Sequence, residues 1–234
     1  MNVIRSKFSK SGHLKYISHL DLMRLMNRAL RRADIPVVYT QGFNPQPRIS
    51  FATALSLGVE SEGEYVDIEL SQHIPEQQFI KSLNDKLPDG IKIIKVSYVN
   101  DKKSIMSLIR WSQYVIELKF DENMNKESLQ DIIDKVLSQE SIMYTKTSRK
   151  KGKKIRREVE IRNLIKNIEI LMFNNNTAVV KSTLRTGSDG NLKPEALIDV
   201  FERYGDLKIN REDVKIQRIE LFIENNGEAI LPIA

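Results

Sequence analysis

Residues 2–33 read NVIRSKFSKSGHLKYISHLDLMRLMNRALRRA, and this stretch decides the fold. Its opening, NVIRSKF, alternates with Ile4 and Phe8 on one face, the period of a strand. SKSG turns the chain and LKYI resumes extended structure. Ser18-His19-Leu20-Asp21 then matches a capping box, in which Ser18 caps a helix and Asp21 reaches back to its backbone N–H. Leu22, Met26, Ala29, Leu30 and Ala33 recur at helical spacing, and Arg24, Arg28, Arg31 and Arg32 take the opposite face. Pro36 ends the helix.

The order continues outward from this strand and helix. Val37–Thr40 and Arg48–Ala52 read as extended around the loop GFNPQP. Glu64–Leu70 alternates as a half-buried strand, and Pro75 opens a helix with Phe79, Ile80, Leu83 and Leu87 inward. Ile91–Tyr98 is another strand. After a polar linker at 100–107, Gln113–Phe120, a helix over Lys126–Leu137, extended segments at Ser141–Thr147 and Arg157–Ile161, a hairpin over 167–184, a helix from Pro194 to Tyr204 and a strand at Lys215–Ile223 follow. The pattern β-α-β-β-α-β occurs twice. The expected class is α+β, with two tandem ferredoxin-like domains at 1–100 and 108–234, the second carrying an inserted basic β-hairpin at 146–157.

The chain has 234 residues, 41 % of them apolar, enough for a buried core. Cysteine is absent, which excludes a disulfide scaffold, a thiol nucleophile and an iron–sulfur cluster held by this chain. No apolar run approaches the ~18 residues that span a bilayer. The expectation is a cytoplasmic protein without membrane contact. The three histidines, His13, His19 and His73, lack metal-ligand spacing, so no metal and no cofactor are expected.

Charge is uneven. The formal net charge is +6, yet residues 1–48 hold nine Lys/Arg against Asp21 and Asp34, whereas residues 49–100 hold four against eight acids. Lys146–Arg157 reads KTSRKKGKKIRR, eight basic residues and no acid. Such clusters attract polyanions. The candidate RNA-binding residues are therefore Arg24, Arg28 and Arg31 on the first helix, and Lys146, Arg149, Lys150, Lys151, Lys153, Lys154, Arg156 and Arg157. To these the loop YTQGFNPQPRISF adds Tyr39, Phe43 and Arg48, because aromatics among amide side chains can stack on unpaired bases. The plainer readings are a solvated hairpin, a solvated helix face and a loop whose Phe43 or Phe51 packs into the core.

Two further clusters have competing readings. Lys15, Tyr16 and His19 fall at one strand end and helix start. A histidine base with lysine or tyrosine stabilising a phosphorane would suit a metal-independent ribonuclease, a layout that resembles the CRISPR RNA-processing endoribonucleases. Ordinary helix capping is the plainer and favoured reading of His19 and Asp21. Gly187 and Gly190, with Lys193 before the helix at Pro194, offer an anion cradle at a helix N-terminus, or a plain turn.

The segment from Phe8 to Leu70, with SHLDLMR, RALRRA and QGFNPQP in order, resembles the bacterial radical SAM-linked protein family; REVEIRNLI and LKPEALIDVF echo it more weakly. That resemblance implies a radical SAM protein as partner, and implies no catalytic residues. A chain without cysteine cannot hold the radical cluster itself. The first expectation is a non-catalytic accessory protein that presents ribosomal or transfer RNA to such an enzyme. The ribonuclease, and a protein-interaction adaptor without RNA, are the alternatives.

Overall fold

The N-terminal strand forms as β1 (Asn2–Lys10), followed by a 3-10 turn at Gly12–Tyr16 and helix α1 (His19–Arg32). After them come β2 (Ile49–Phe51), β3 (Glu60–Leu70), α2 (Glu76–Asn84), β4 (Ile91–Val99), α3 (Ile105–Leu108), β5 (Ile109–Lys119) and α4 (Lys126–Leu137). The chain closes with β6 (Met143–Lys150), β7 (Lys153–Glu160), β8 (Ile165–Asn174), β9 (Thr177–Arg185), α5 (Pro194–Gly205), β10 (Lys215–Asn225) and β11 (Glu228–Ile230). This is a mixed α+β protein. The computed structural model describes residues 2–101, 103–121, 123–150 and 153–233, with backbone alone at 147–150 and 153–154.

The chain divides into two compact units, Met1–Trp111 with Gln217–Ala234, and Ser112–Ile216. The expected division at 100–108 therefore moves to 111/112, and residues 217–234 join the first unit. The reason is strand pairing: β10 runs parallel to β3, with Gln217 opposite Glu60 and Arg218 opposite Ser61.

In the first unit β1 pairs antiparallel with β3 on one side and with β4 on the other. The short β2 adds antiparallel to β3. Val37 and Tyr39, expected in an extended run, make only isolated bridges, to Leu70 and Pro47. One face of this sheet buries Ile4, Phe8, Val66 and Ile68 under Leu22, Met26 and Leu30 of α1 and Phe79 and Leu83 of α2. Ser18 caps α1 as the sequence suggests: its hydroxyl accepts the Asp21 N–H at 3.2 Å and donates to the Asp21 carboxylate at 2.7 Å. Gly63 marks the closest approach of β3 to β10. A Cβ there would lie 2.5 Å from the Ile219 carbonyl oxygen and 2.6 Å from Glu220 Cα, so the position takes glycine only.

The first unit also buries charge. Arg5, 1 % exposed, donates to both Asp67 oxygens at 2.8 and 3.0 Å and meets Asp101 at 2.8 Å. Arg218 donates to both Glu64 oxygens at 2.8 and 2.6 Å, with both side chains almost fully enclosed. Lys10, 2 % exposed, gives its ammonium to the carbonyls of Lys15 and Ile17 at 3.4 and 3.1 Å. Lys7 and the Tyr65 hydroxyl share the Glu220 carboxylate. Isolated buried charges are costly, and pairing offsets that cost.

In the second unit the sheet runs β5-β9-β8, with β8 and β9 joined as a hairpin across Asn175 and Asn176, both at positive φ. Its core takes Ile116 and Leu118 from β5, Ile165 and Val180 from the hairpin, and Leu129, Ile133, Leu197 and Phe201 from α4 and α5. β6 and β7 pair only with each other, as a separate two-stranded sheet. Sequence explains the difference. β8 and β9 each present apolar residues to the helices, whereas MYTKTSRK and KKIRREVE carry apolar anchors mainly at their base, where Tyr144 and Val159 pack on the core and Ile142 and Ile161 enter it. Among the described residues no helix is long and apolar enough to cross a membrane.

Candidate nucleic-acid interface

Helix α1 brings three arginines into one groove. Arg24, Arg28 and Arg32 recur every four residues, about 6 Å apart along the axis. They line a groove of about 450 Å³ closed on its far side by Pro88. Arg24 pairs with Asp21 at 3.1 Å, and Arg32 donates to the Lys86 carbonyl at 2.7 Å. Arg28 has no acidic partner among the described residues. The Ser18 hydroxyl, and after it Arg24, hold the Asp21 carboxyl below its usual range. Arg31, expected from the sequence to belong here, is exposed but outside the groove; Arg32 takes its place.

The 39–48 loop is closed by hydrogen bonds. The Thr40 N–H donates to the Gln46 carbonyl at 2.8 Å, the Gln46 N–H to the Thr40 hydroxyl at 2.9 Å, and the Arg48 N–H to the Val38 carbonyl at 2.8 Å. Phe43 stands fully exposed at its tip, and Tyr39 is also exposed. Phe51 is the aromatic that enters the core. The guanidinium of Arg48 is committed to Glu69 at 3.2 Å.

The β6–β7 register places cation opposite cation. Lys146 faces Arg157, Arg149 faces Lys154, and Lys150 faces Lys153. Like charges directly across an antiparallel pair destabilise it, and a lone hairpin is marginal to begin with. Lys146, Arg156 and Arg157 are described and exposed. The side chains of Arg149, Lys150, Lys153 and Lys154, and all of Lys151, lie outside the described residues.

Lys15 and Tyr16 stay neighbours, while Lys15 and His19 each also meet a partner outside the cluster. Lys15 Nζ pairs with Glu60 at 3.3 Å and lies 5.5 Å from the Tyr16 ring centre. His19 sits edge-on to Phe51, with ring centres 5.5 Å apart. The glycine loop before α5 behaves differently from an anion cradle. Gly187 and Gly190 take positive φ, as expected, and the Leu192 N–H closes the turn on the Arg185 carbonyl at 2.9 Å. Yet residues 189–193 of this loop line a cleft of about 910 Å³ in which Glu160, Asp189, Glu195 and Asp199 outnumber Lys146 and Lys193. That lining disfavours an anion at Gly187, Gly190 and Lys193. Asp189 lies in the loop itself, but Glu160 comes from β7 and Glu195 and Asp199 from α5, so the loop sequence alone did not announce them. Among the described residues no group of three or more His, Asp or Glu side chains could hold a metal ion.

No curated protein matches this chain. Among solved structures it resembles a chain of "Crystal Structure of a Cbf5-Nop10-Gar1 Complex", with TM-score 0.52 and 10 % identity over 96 % of this chain and 50 % of that one. A chain of "Crystal structure of the archaeal box H/ACA sRNP Nop10-Cbf5 complex" gives TM-score 0.47 and 10 % identity over 93 % and 46 %. The chain thus spans about half the length of these relatives, and at such identity the likeness concerns the fold alone. Residues 4–194 match the family described as "Uncharacterized protein conserved in bacteria (DUF2344)", which covers well over half of the sequence, and the chain belongs to that family.

Proposed function

We propose that this protein is a non-catalytic RNA-binding accessory protein that works beside a cobalamin-type radical SAM enzyme in RNA modification. The observation that carries the RNA part is the hairpin register, in which three pairs of cations face each other. Such a surface forgoes stability, and a polyanion neutralising it removes the repulsion. The arginine groove of α1 and the exposed Phe43 supply a second phosphate-binding strip and a stacking platform. The antiparallel pairing of β1 with both β4 and β3, and of β2 with β3, supports reading the first unit as ferredoxin-like, with β10 added parallel to β3. The radical SAM partnership rests on the sequence resemblance.

Fluorescence titration with labelled ribosomal and transfer RNA fragments tests the reading. Binding is expected to weaken steeply with salt. Affinity that is flat from low to moderate salt overturns it. Arg28→Ala is expected to weaken binding a few-fold and lower the salt slope by about one. Because Arg28 is exposed and has no acidic partner among the described residues, the same variant is expected to leave folding stability within about 0.5 kcal/mol of the parent. The pairing of Lys15 with Glu60 and the packing of His19 on Phe51 leave the ribonuclease as the second reading. Cleavage of RNA in EDTA by the parent but not by His19→Ala would favour it.

A further inference from the structure

The cleft at the start of α5 lends only Lys146 to the RNA reading. Its volume, about 910 Å³, suits a small organic ligand rather than a bare ion. Its walls are apolar along Val159, Ile161, Leu164, Leu192 and Ala196. Its acids are mostly committed. Glu160 accepts the Ile142 and Arg162 N–H groups at 3.2 and 2.5 Å, Asp189 meets Arg185 at 3.5 Å, and Asp199 takes the Tyr144 hydroxyl at 3.0 Å and Arg211 at 2.6 Å. Glu195 is the exception. Its Oε2 exposes less than 1 Å² and has no hydrogen-bond partner among the described residues. A buried carboxylate oxygen left unpaired is unfavourable, and a ligand donor relieves it. Glu195 lies close enough to Tyr144 that burial, Asp199 and Glu195 together push the Tyr144 hydroxyl up, so the ring stays a neutral phenol. A carboxylate beside a neutral aromatic ring is the pairing that holds an organic cation.

We infer that this cleft binds an alkylammonium or alkylguanidinium group, with Glu195 Oε2 taking the charge, the Tyr144 ring flanking it and the apolar wall holding its aliphatic stem. The same chemistry can arrive as a free amine or as a lysine or arginine side chain of a peptide, and the two sources separate experimentally.

The test uses the full chain, isotope-labelled, titrated by NMR with agmatine, spermidine and inorganic phosphate. Agmatine or spermidine is expected to shift Tyr144, Val159, Leu192 and Ala196 saturably. Glu195→Gln is expected to weaken that binding at least tenfold, while Glu127→Gln, in the first turn of α4, leaves it unchanged. Glu195→Ala serves if the glutamine variant fails to fold. A capped Gly-Arg-Gly peptide forms the second arm. Tighter binding than agmatine assigns the site to a protein side chain, and weaker binding assigns it to a free amine. The inference fails if neither amine nor peptide saturates the cleft, if Glu195→Gln binds like the parent, or if phosphate alone produces the shifts. RNA affinity, measured separately on the same variants, is expected to be unchanged, so this site and the RNA surface stand or fall apart.

Discussion

Glu64→Ala is expected to destabilise the first unit by about 3–5 kcal/mol, the loss typical of breaking a buried ion pair from one side. The Glu64 side chain is 4 % exposed and its partner Arg218 is 2 % exposed. Removing the carboxylate takes two hydrogen bonds from the buried guanidinium, and it also removes the negative charge that offsets burial at Lys10. Chemical denaturation reads the loss directly. The double variant Glu64→Ala with Lys10→Met is expected to be less damaged than the two single effects added together, since the buried ammonium that Glu64 offsets is gone as well. Strict additivity would show that Lys10 and Glu64 do not sense each other.

Lys10 carries a pH signature of its own. Burial lowers its pKa from the ordinary value of 10.5, and the nearby Arg218 lowers it further against the pull of Glu64. With the folded pKa below the unfolded one, the unfolded chain holds more protons between the two values. Stability therefore rises with pH across that interval. Lys10→Met is expected to lack this rise, so the gap between parent and variant changes as pH approaches 10.5 from below. Tyr65 works in the opposite sense. Burial and Glu220 raise its pKa, so its contribution is lost as pH climbs past 10. Parent and variant share that loss, and the difference between their curves isolates Lys10. Parallel curves would refute the assignment.

These buried cations explain where a sequence reading reached and where it stopped. The apolar stripe and cap of α1 were legible because a helix carries its own period and its own start signal within fourteen residues. The charge balance of residues 1–48 was legible as a sum but not as a surface. Arg5 and Lys10 count toward the surplus, yet both lie inside, held by partners such as Asp67, 62 positions away. Nothing local marks a lysine as buried. The pairing of β6 with β7 alone followed the apolar pattern, since only the hairpin base carries residues for a core. Helical phase alone does not choose Arg32 over Arg31, since 31 is i+3 from Arg28 and i+7 from Arg24; the contact of Arg32 with the Lys86 carbonyl beside Pro88 is tertiary and left no mark in the local sequence.

Replacing Lys150, Lys151, Lys153 and Lys154 together with alanine is expected to give the largest change in RNA binding. Each phosphate neutralised by a lysine contributes about 0.7 to the salt slope on a single strand and about 0.9 on a duplex. Four lost contacts flatten the slope by about three and lower affinity on the order of a hundredfold at low salt. Folding should move the other way or not at all. The variant turns Lys150 opposite Lys153 into alanine opposite alanine and relieves Arg149 opposite Lys154, so cross-strand repulsion falls. A midpoint of unfolding equal to or above the parent's, combined with weakened RNA binding, separates lost contact from lost structure. If affinity and slope match the parent, the hairpin does not meet RNA, and its repulsion needs a different polyanion. An acidic protein partner would then show as binding that survives ribonuclease treatment and disappears with the four lysines.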